Sequence, residues 1–166
     1  MNKKGSLLDT IFIMVVLLVL GISILLAAYL SDAIFPVIEP LLNDTTATQI
    51  IDTAEAGIGG LDILFVTIYI LLNLTPAILA FFVDTHPIFI IVNIIIFLVV
   101  FTVTPAISNA MQTLWSLDAF SQYAAGGGGT YDFSLMQAIF QYLPYLSLIF
   151  MVIVMVAMFV GKGGEK

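Results

Sequence analysis

Four long apolar runs constrain this chain more than any other feature of its sequence. They cover about residues 11–30, 63–83, 88–107 and 135–160. An α-helix rises about 1.5 Å per residue, so about 20 residues cross a hydrocarbon layer about 30 Å thick. The third run reaches that length only if it continues through Thr104-Pro105. The runs predict an integral membrane protein with four spans.

The character of the runs predicts helices. Inside lipid, each backbone amide must find its partner within its own helix or in a closed barrel. The runs are continuously apolar and lack the alternation that is typical of a barrel strand. Only 9% of the residues are charged, whereas a soluble domain has about 25%. We therefore expect one all-α, polytopic membrane domain that covers residues 1–166.

The basic residues predict the orientation of the spans. They stand only at the two ends of the chain: Lys3, Lys4, Lys162 and Lys166. Lysines beside a span stay on the cytoplasmic side, so we expect both termini on the inner face of a cell or virion membrane and an even number of crossings. The connections 31–61 and 105–134 then lie outside. No basic patch is present, which excludes nucleic acid as a partner.

The N-terminal segment resembles a known leader. The run Lys3-Lys4-Gly5-Ser6-Leu7-Leu8-Asp9 is similar to the class III signal of archaeal type IV prepilins, which is cut after the glycine. Thr10 stands where that signal has a glutamate, and pilins have one membrane helix instead of four. We interpret the segment as a retained span whose lysines anchor its inner end. The resemblance implies an archaeal or archaeal-virus source.

The first outside connection predicts a short amphipathic helix at the membrane surface. Its apolar residues recur at the i, i+3, i+4, i+7 spacing of a helix face: Ala47, Ile50, Ile51 and Ala54. Gly57, Gly59 and Gly60 are expected to end this helix. The triplet beginning at Asn43 also fits a glycosylation acceptor on the outer side.

The second outside connection predicts a second interfacial helix. Its apolar stripe contains Ile107, Met111, Leu114 and Leu117. Trp115 and Tyr123 are predicted interfacial anchors, because each has an apolar ring and a polar group that favours water. The glycines at 126–129 predict a flexible hinge. The run 134–137, Ser-Leu-Met-Gln, matches a capping box that opens the last helix.

Uncharged polar residues within the spans are the best functional clues in the sequence, since polar groups are costly in lipid. They are Asn73, Asn93, Gln137, Gln141 and Tyr145. One interpretation makes them a hydrophilic seam that lines a pore. The other makes them hydrogen-bonding contacts between helices, each worth about 0.6–2 kcal/mol. We favour contacts between helices, because a conducting seam has more polar positions or an acidic ring.

Catalytic and metal-binding patterns are missing from the sequence. There is no cysteine, and His86 is the single histidine. One histidine does not build a metal site without several partners. The glycines at 126–129 lack the Lys-Ser/Thr that follows them in a nucleotide-binding loop. We expect a protein that is not an enzyme and that holds no cofactor or metal.

Three functions are compatible with these features. The favoured one is a structural subunit that packs with other membrane subunits, as a homo- or hetero-oligomer, in a virion membrane, an appendage base or a membrane complex. Small residues such as Gly21 and Ala28 permit close helix packing and support it. The second is an oligomeric, holin-like pore. The third is a small transporter, suggested by Thr-Pro-Ala-Ile at 75–78 and again at 104–107.

Overall fold

The structure, a computed structural model, describes residues 6–41, 45–82 and 87–160. These residues form α1 (Ser6–Ile38), a 3-10 turn (Glu39–Leu41), α2 (Thr45–Phe82), α3 (Pro87–Trp115), the single-turn helix α4 (Asp118–Ser121) and α5 (Ser134–Val160). Within these ranges every regular element is a helix. The prediction of an all-α chain is confirmed.

Four of the helices are long and apolar enough to cross a membrane. Their qualifying segments are Phe12–Leu41, Thr48–Thr75, Ile94–Trp115 and Ser134–Ala157. All four helices exceed the minimum length of a span, and α2, with 38 residues, is about 57 Å long. The predicted multi-pass architecture is therefore confirmed at the level of helix number, length and composition.

The two short surface helices that the sequence predicts are not separate elements. Residues 45–56 form the first turns of α2, and residues 107–115 form the last turns of α3. Gly57, Gly59 and Gly60 continue α2 instead of ending it, and a β-carbon added at any of them would meet no other group within 4 Å. A glycine ends a helix when it adopts a left-handed conformation, and these three have no positive φ. Among the described residues, α4 and the 3-10 turn at Glu39–Leu41 are the short helical elements.

The helix α5 is the centre of the bundle. It packs most extensively against α2 and α3, whereas α1 covers α2 and α3. The fully buried side chains at these contacts include Phe65 of α2, Met111 of α3 and Phe140 of α5. Gly21 of α1 lies over Phe140, where an added β-carbon would stand 2.8 Å from the ring. The absence of a side chain at Gly21 therefore lets α1 approach α5.

The outward faces of the long helices carry large apolar side chains. Examples are Val19 on α1, Leu71 on α2, Leu98 on α3 and Val152 on α5. A soluble protein rarely exposes such extensive apolar surface. These faces fit contact with lipid chains.

Hydroxyl groups on the outward faces are satisfied within their own helices. Ser23, Thr67, Thr75 and Thr102 each donate to the carbonyl four residues earlier, with distances between 2.6 and 2.9 Å. Such a bond replaces the water that lipid cannot supply. The side chains of these helices are therefore adapted to an apolar medium.

Two long-range contacts define one end of the bundle. Asp32, near the end of α1, contacts Tyr123, and Asp62 of α2 contacts the first residues of α5. The start of α1 and the end of α5 consequently lie at the opposite end. We use the name cap for residues 116–133 together with Asp32 and Asp62.

Candidate functional site: the cap of the bundle

Asp62, which lies on α2, caps the N-terminus of α5. Its side chain is 5% exposed. One carboxylate oxygen accepts from the Met136 N–H at 2.7 Å and the other from the Leu135 N–H at 3.1 Å. The first N–H groups of a helix have no acceptor within that helix. The positive end of the α5 dipole also attracts a carboxylate, so Asp62 joins α2 to α5 by charge and by hydrogen bonds.

The capping box predicted at the start of α5 is wrong in its details. The helix does begin at Ser134, as the sequence suggests. The Ser134 N–H donates to the side chain of Asp132, and Asp62 takes the next two N–H groups. The side chain of Gln137 accepts from the Ala125 N–H at 2.9 Å instead of turning back toward Ser134. Long-range contacts thus replace the local pair.

A second link joins the cap to α1. The Tyr123 hydroxyl donates to a carboxylate oxygen of Asp32 at 2.7 Å. Burial of the ring raises the pKa of the Tyr123 hydroxyl above its ordinary value, and so do the hydrogen bond and the charge of Asp32. The phenol therefore stays protonated over the physiological range and remains a donor.

The sequence predicts a flexible hinge for the glycine run at 126–129. In the structure this run forms a defined turn. The Gly129 N–H donates to the carbonyl of Gln122 at 2.9 Å, and the Phe133 N–H donates to that of Tyr123 at 3.0 Å. Gly126 and Gly128 both have a φ of 76°, which favours glycine. A β-carbon at 129 would stand 2.6 Å from the Gln122 carbonyl. The glycines are needed for tight packing of the turn.

Three aromatic rings fill the interior of the cap. The rings of Tyr123, Tyr131 and Phe133 are all buried, and each pair of ring centres is 6.2 Å apart. Burial raises the pKa of the Tyr131 hydroxyl, as do the carboxylates of Glu55 and Asp32. Rings in such offset pairs stabilise one another by about 0.5–1.5 kcal/mol beyond the area they bury. These three rings extend the hydrophobic core of the bundle into the cap.

The predicted interfacial anchors lie inside the protein. Trp115 is 4% exposed and its indole N–H has no partner in the described part of the chain, while Tyr123 is fully buried. A ring that packs against its own chain has little surface left for lipid headgroups. That Trp115 and Tyr123 lie at the level of the lipid headgroups and anchor the protein there stays a prediction.

The polar span residues that the sequence singled out face different surroundings. Asn73 is half-buried and donates to the Tyr69 carbonyl of its own helix at 2.8 Å. Gln137 holds the cap turn. Gln141 and Tyr145 face outward from α5. The side chain of Asn93 is outside the described residues, as are Asn43, His86 and the four lysines.

Asp62 and Asp32 are the site residues that sequence reasoning missed. Asp62 follows Gly59, Gly60 and Leu61 and directly precedes an apolar run. An acid at the mouth of a span needs a partner, and this signal was sufficient to single it out. The identity of that partner was not readable from the sequence, because it lies 73 residues away.

The polar groups of the cap form hydrogen bonds between different segments of the same chain. Asp32, Asp62 and Gln137 each accept a hydrogen bond from another segment of the chain. Among the described residues, no group of three histidine or acidic side chains is placed to hold a metal ion. The arrangement can fix the end of α1, the middle of α2 and the start of α5 relative to one another.

Comparison with known proteins gives no relative for this chain. No protein family, no curated protein and no solved structure matches it.

Proposed function

We propose that this protein is a non-enzymatic structural subunit that packs with other membrane subunits into a larger assembly. The observation that carries the proposal is the use of polar groups in the cap. The side chains of Asp32, Asp62 and Gln137 accept hydrogen bonds from other segments of the same chain. A protein whose polar groups serve its own rigidity is suited to a scaffold.

The interior of the bundle supports the same proposal. Phe65, Met111, Met136 and Phe140 are fully buried between the helices. Asn73, one of the expected seam residues, is bonded to its own helix. A filled interior leaves the outward surfaces as the places where the molecule meets other components, which are lipid and neighbouring subunits.

The proposed placement puts the cap outside and both termini inside a cell or virion membrane. The acids of the cap and the terminal lysines support this orientation. The stretch from Asp62 to Phe82 rises about 30 Å, which equals the hydrocarbon thickness. Residues 45–56 then project from the membrane and form, with the end of α3, the amphipathic surface near the headgroups.

Purification from native membranes tests the proposal. After extraction in a mild detergent, we expect the protein to leave the membrane with a reproducible, stoichiometric set of subunits. Recovery as a solitary monomer under conditions that preserve other membrane complexes would contradict a scaffold role.

An oligomeric pore is the second candidate, because Gln141 and Tyr145 face outward and would line a lumen formed between copies. Liposomes that contain the purified protein separate the two functions. A scaffold leaves a trapped dye inside. Dye release that Gln141→Leu abolishes, with Ser23→Ala as a control on the outward face of α1, would favour the pore.

A further inference from the structure

Two polar side chains stand on the outward face of α5 without a partner among the described residues. Tyr145 is 69% exposed, and Gln141 is exposed one turn earlier. Neither makes a side-chain hydrogen bond to any described residue, unlike Gln137 on the preceding turn. Tyr142, which is 52% exposed, widens this patch.

The depth of the patch makes the lack of partners costly. Gln141 and Tyr145 lie about 10 and 16 Å along the helix from Ser134, where Asp62 meets α5. If that level is the edge of the hydrocarbon layer, as the proposed placement has it, both side chains face lipid chains. An amide without a hydrogen bond in such a medium costs several kcal/mol.

Other outward polar groups of the bundle avoid this cost. Ser23, Thr67 and Thr102 each donate to a carbonyl of the same helix. Gln141 and Tyr145 have no such bond among the described residues, so their side chains leave donors and acceptors free on the outward face of α5.

We propose that this face, composed of Gln141, Tyr142 and Tyr145, binds the same face of a second copy of the chain. The proposal rests on the scaffold function and names its first contact. An amide is self-complementary, since it carries a donor and an acceptor. Across a two-fold axis along the membrane normal, each Gln141 therefore satisfies the other. The exposed apolar residues Ile149 and Val152 continue the same stripe and extend the contact.

Disulfide cross-linking tests this contact, and the absence of native cysteine makes it clean. Ile149→Cys places one thiol on the stripe, beside the proposed axis. Val19→Cys is the matched control, since Val19 is similarly exposed and lies at a similar depth on α1. In oxidised proteoliposomes, we expect a dimer band from Ile149→Cys and none from Val19→Cys.

The polar residues are then removed in the Ile149→Cys background. Gln141→Leu and Tyr145→Phe keep side-chain size and should each lower the cross-linked fraction about three- to thirtyfold, as expected for one or two hydrogen bonds in a membrane. Gln141→Asn should recover part of the loss. Ser23→Ala, which removes a hydroxyl from α1, should leave the fraction unchanged.

Three results would overturn the contact. They are equal cross-linking at positions 149 and 19, an unchanged dimer after Gln141→Leu and Tyr145→Phe together, and a monomer in the liposomes. A monomer that still leaves native membranes with other subunits overturns the self-contact alone and assigns the face to a different subunit. Dye release that depends on Gln141 overturns the scaffold function itself.

Discussion

At the scale of single residues, the fold depends on a few polar side chains placed where apolar helices meet. Asp62 is the clearest case, because a buried carboxylate is stable only when hydrogen bonds and an opposite charge compensate it. The free N–H groups of α5 supply both. The Asp62 carboxylate therefore has hydrogen-bond donors of its own, caps the N-terminus of α5 and links α5 to α2.

Removal of this carboxylate gives the first prediction. Asp62→Ala leaves the Leu135 and Met136 N–H groups without acceptors, and we expect the free energy of unfolding to fall by about 2–4 kcal/mol. Asp62→Asn keeps one acceptor oxygen, so its free energy of unfolding should lie between those of the unaltered protein and of Asp62→Ala. The measurement is unfolding by sodium dodecyl sulfate in mixed micelles, followed by circular dichroism.

Asp52 provides the control, since it lies on the same helix and its side chain is exposed. Asp52→Ala should change the free energy of unfolding by less than about 0.5 kcal/mol. Equal effects of the two alanine variants would show that Asp62 acts only through overall charge.

The second prediction concerns alkaline pH and Tyr123. Its pKa in the folded protein lies above the ordinary value of about 10, so the fold favours the protonated phenol. This contribution to stability is fully present below pH 10 and is lost as the pH rises from 10 toward the folded pKa. Tyr123→Phe should lower stability at neutral pH and flatten the decline above pH 10. The measurement is the free energy of unfolding at a series of pH values.

Tyr29→Phe is the matched control, because Tyr29 is exposed and its hydroxyl makes no hydrogen bond to a carboxylate among the described residues. It should leave the alkaline decline as steep as in the unaltered protein. A Tyr123→Phe variant with an unaltered decline would assign the alkaline sensitivity to other groups.

At the scale of the elements, continuity of α2 is the main feature. Three glycines within four residues favour a break in water, yet α2 runs through them. Each glycine costs only about 1 kcal/mol relative to alanine in a helix, and Ile58 and Leu61, which adjoin these glycines, pack against the hydrophobic core. Tertiary packing therefore carries the helix from residue 45 into the apolar segment that follows.

Substitution of these glycines gives the third prediction. Because nothing lies within 4 Å of a β-carbon at Gly59, Gly59→Ala should raise the free energy of unfolding by about 0.5–1 kcal/mol. If Gly59 ended a helix in a left-handed conformation, alanine would lower it. Gly21→Ala is the contrasting variant, since its β-carbon meets Phe140 and overpacking should destabilise the bundle.

At the scale of the whole molecule, one end of the bundle is polar and closed, and the start of α1 and the end of α5 lie at the other. At the closed end, Asp32 joins α1 to the loop that precedes α5, and Asp62 joins α2 to the first turn of α5. This asymmetry fits the proposed orientation, in which the cap and the lysine-bearing termini lie on opposite sides of the membrane.

The fourth prediction is the side on which the cap lies. Thr130 is exposed in the cap, so Thr130→Cys should react with a membrane-impermeant maleimide in intact cells. Thr85→Cys, in the predicted inner turn, should react only after permeabilisation. Labelling at both positions from one side would reject the four-span topology with inner termini.

The sequence by itself determined the number of long apolar helices, because runs of this length and composition pair their backbone amides within a helix when the medium supplies no partner. It also placed the start of α5 at Ser134. The sequence did not determine the ends of α2 and α3, because packing against the core carries α2 through its glycines and α3 through residues 107–115. Local rules for glycine and amphipathic stripes do not include such contacts.

Only the tertiary structure decided which polar groups meet. Asp62 and Met136 are 74 residues apart, and Asp32 and Tyr123 are 91 apart, so no local pattern links them. It also separated Gln137, which holds the cap turn, from Gln141 and Tyr145, which face outward. All three share one helical stripe in the sequence. Their different surroundings follow from where the loop before α5 folds back onto the bundle.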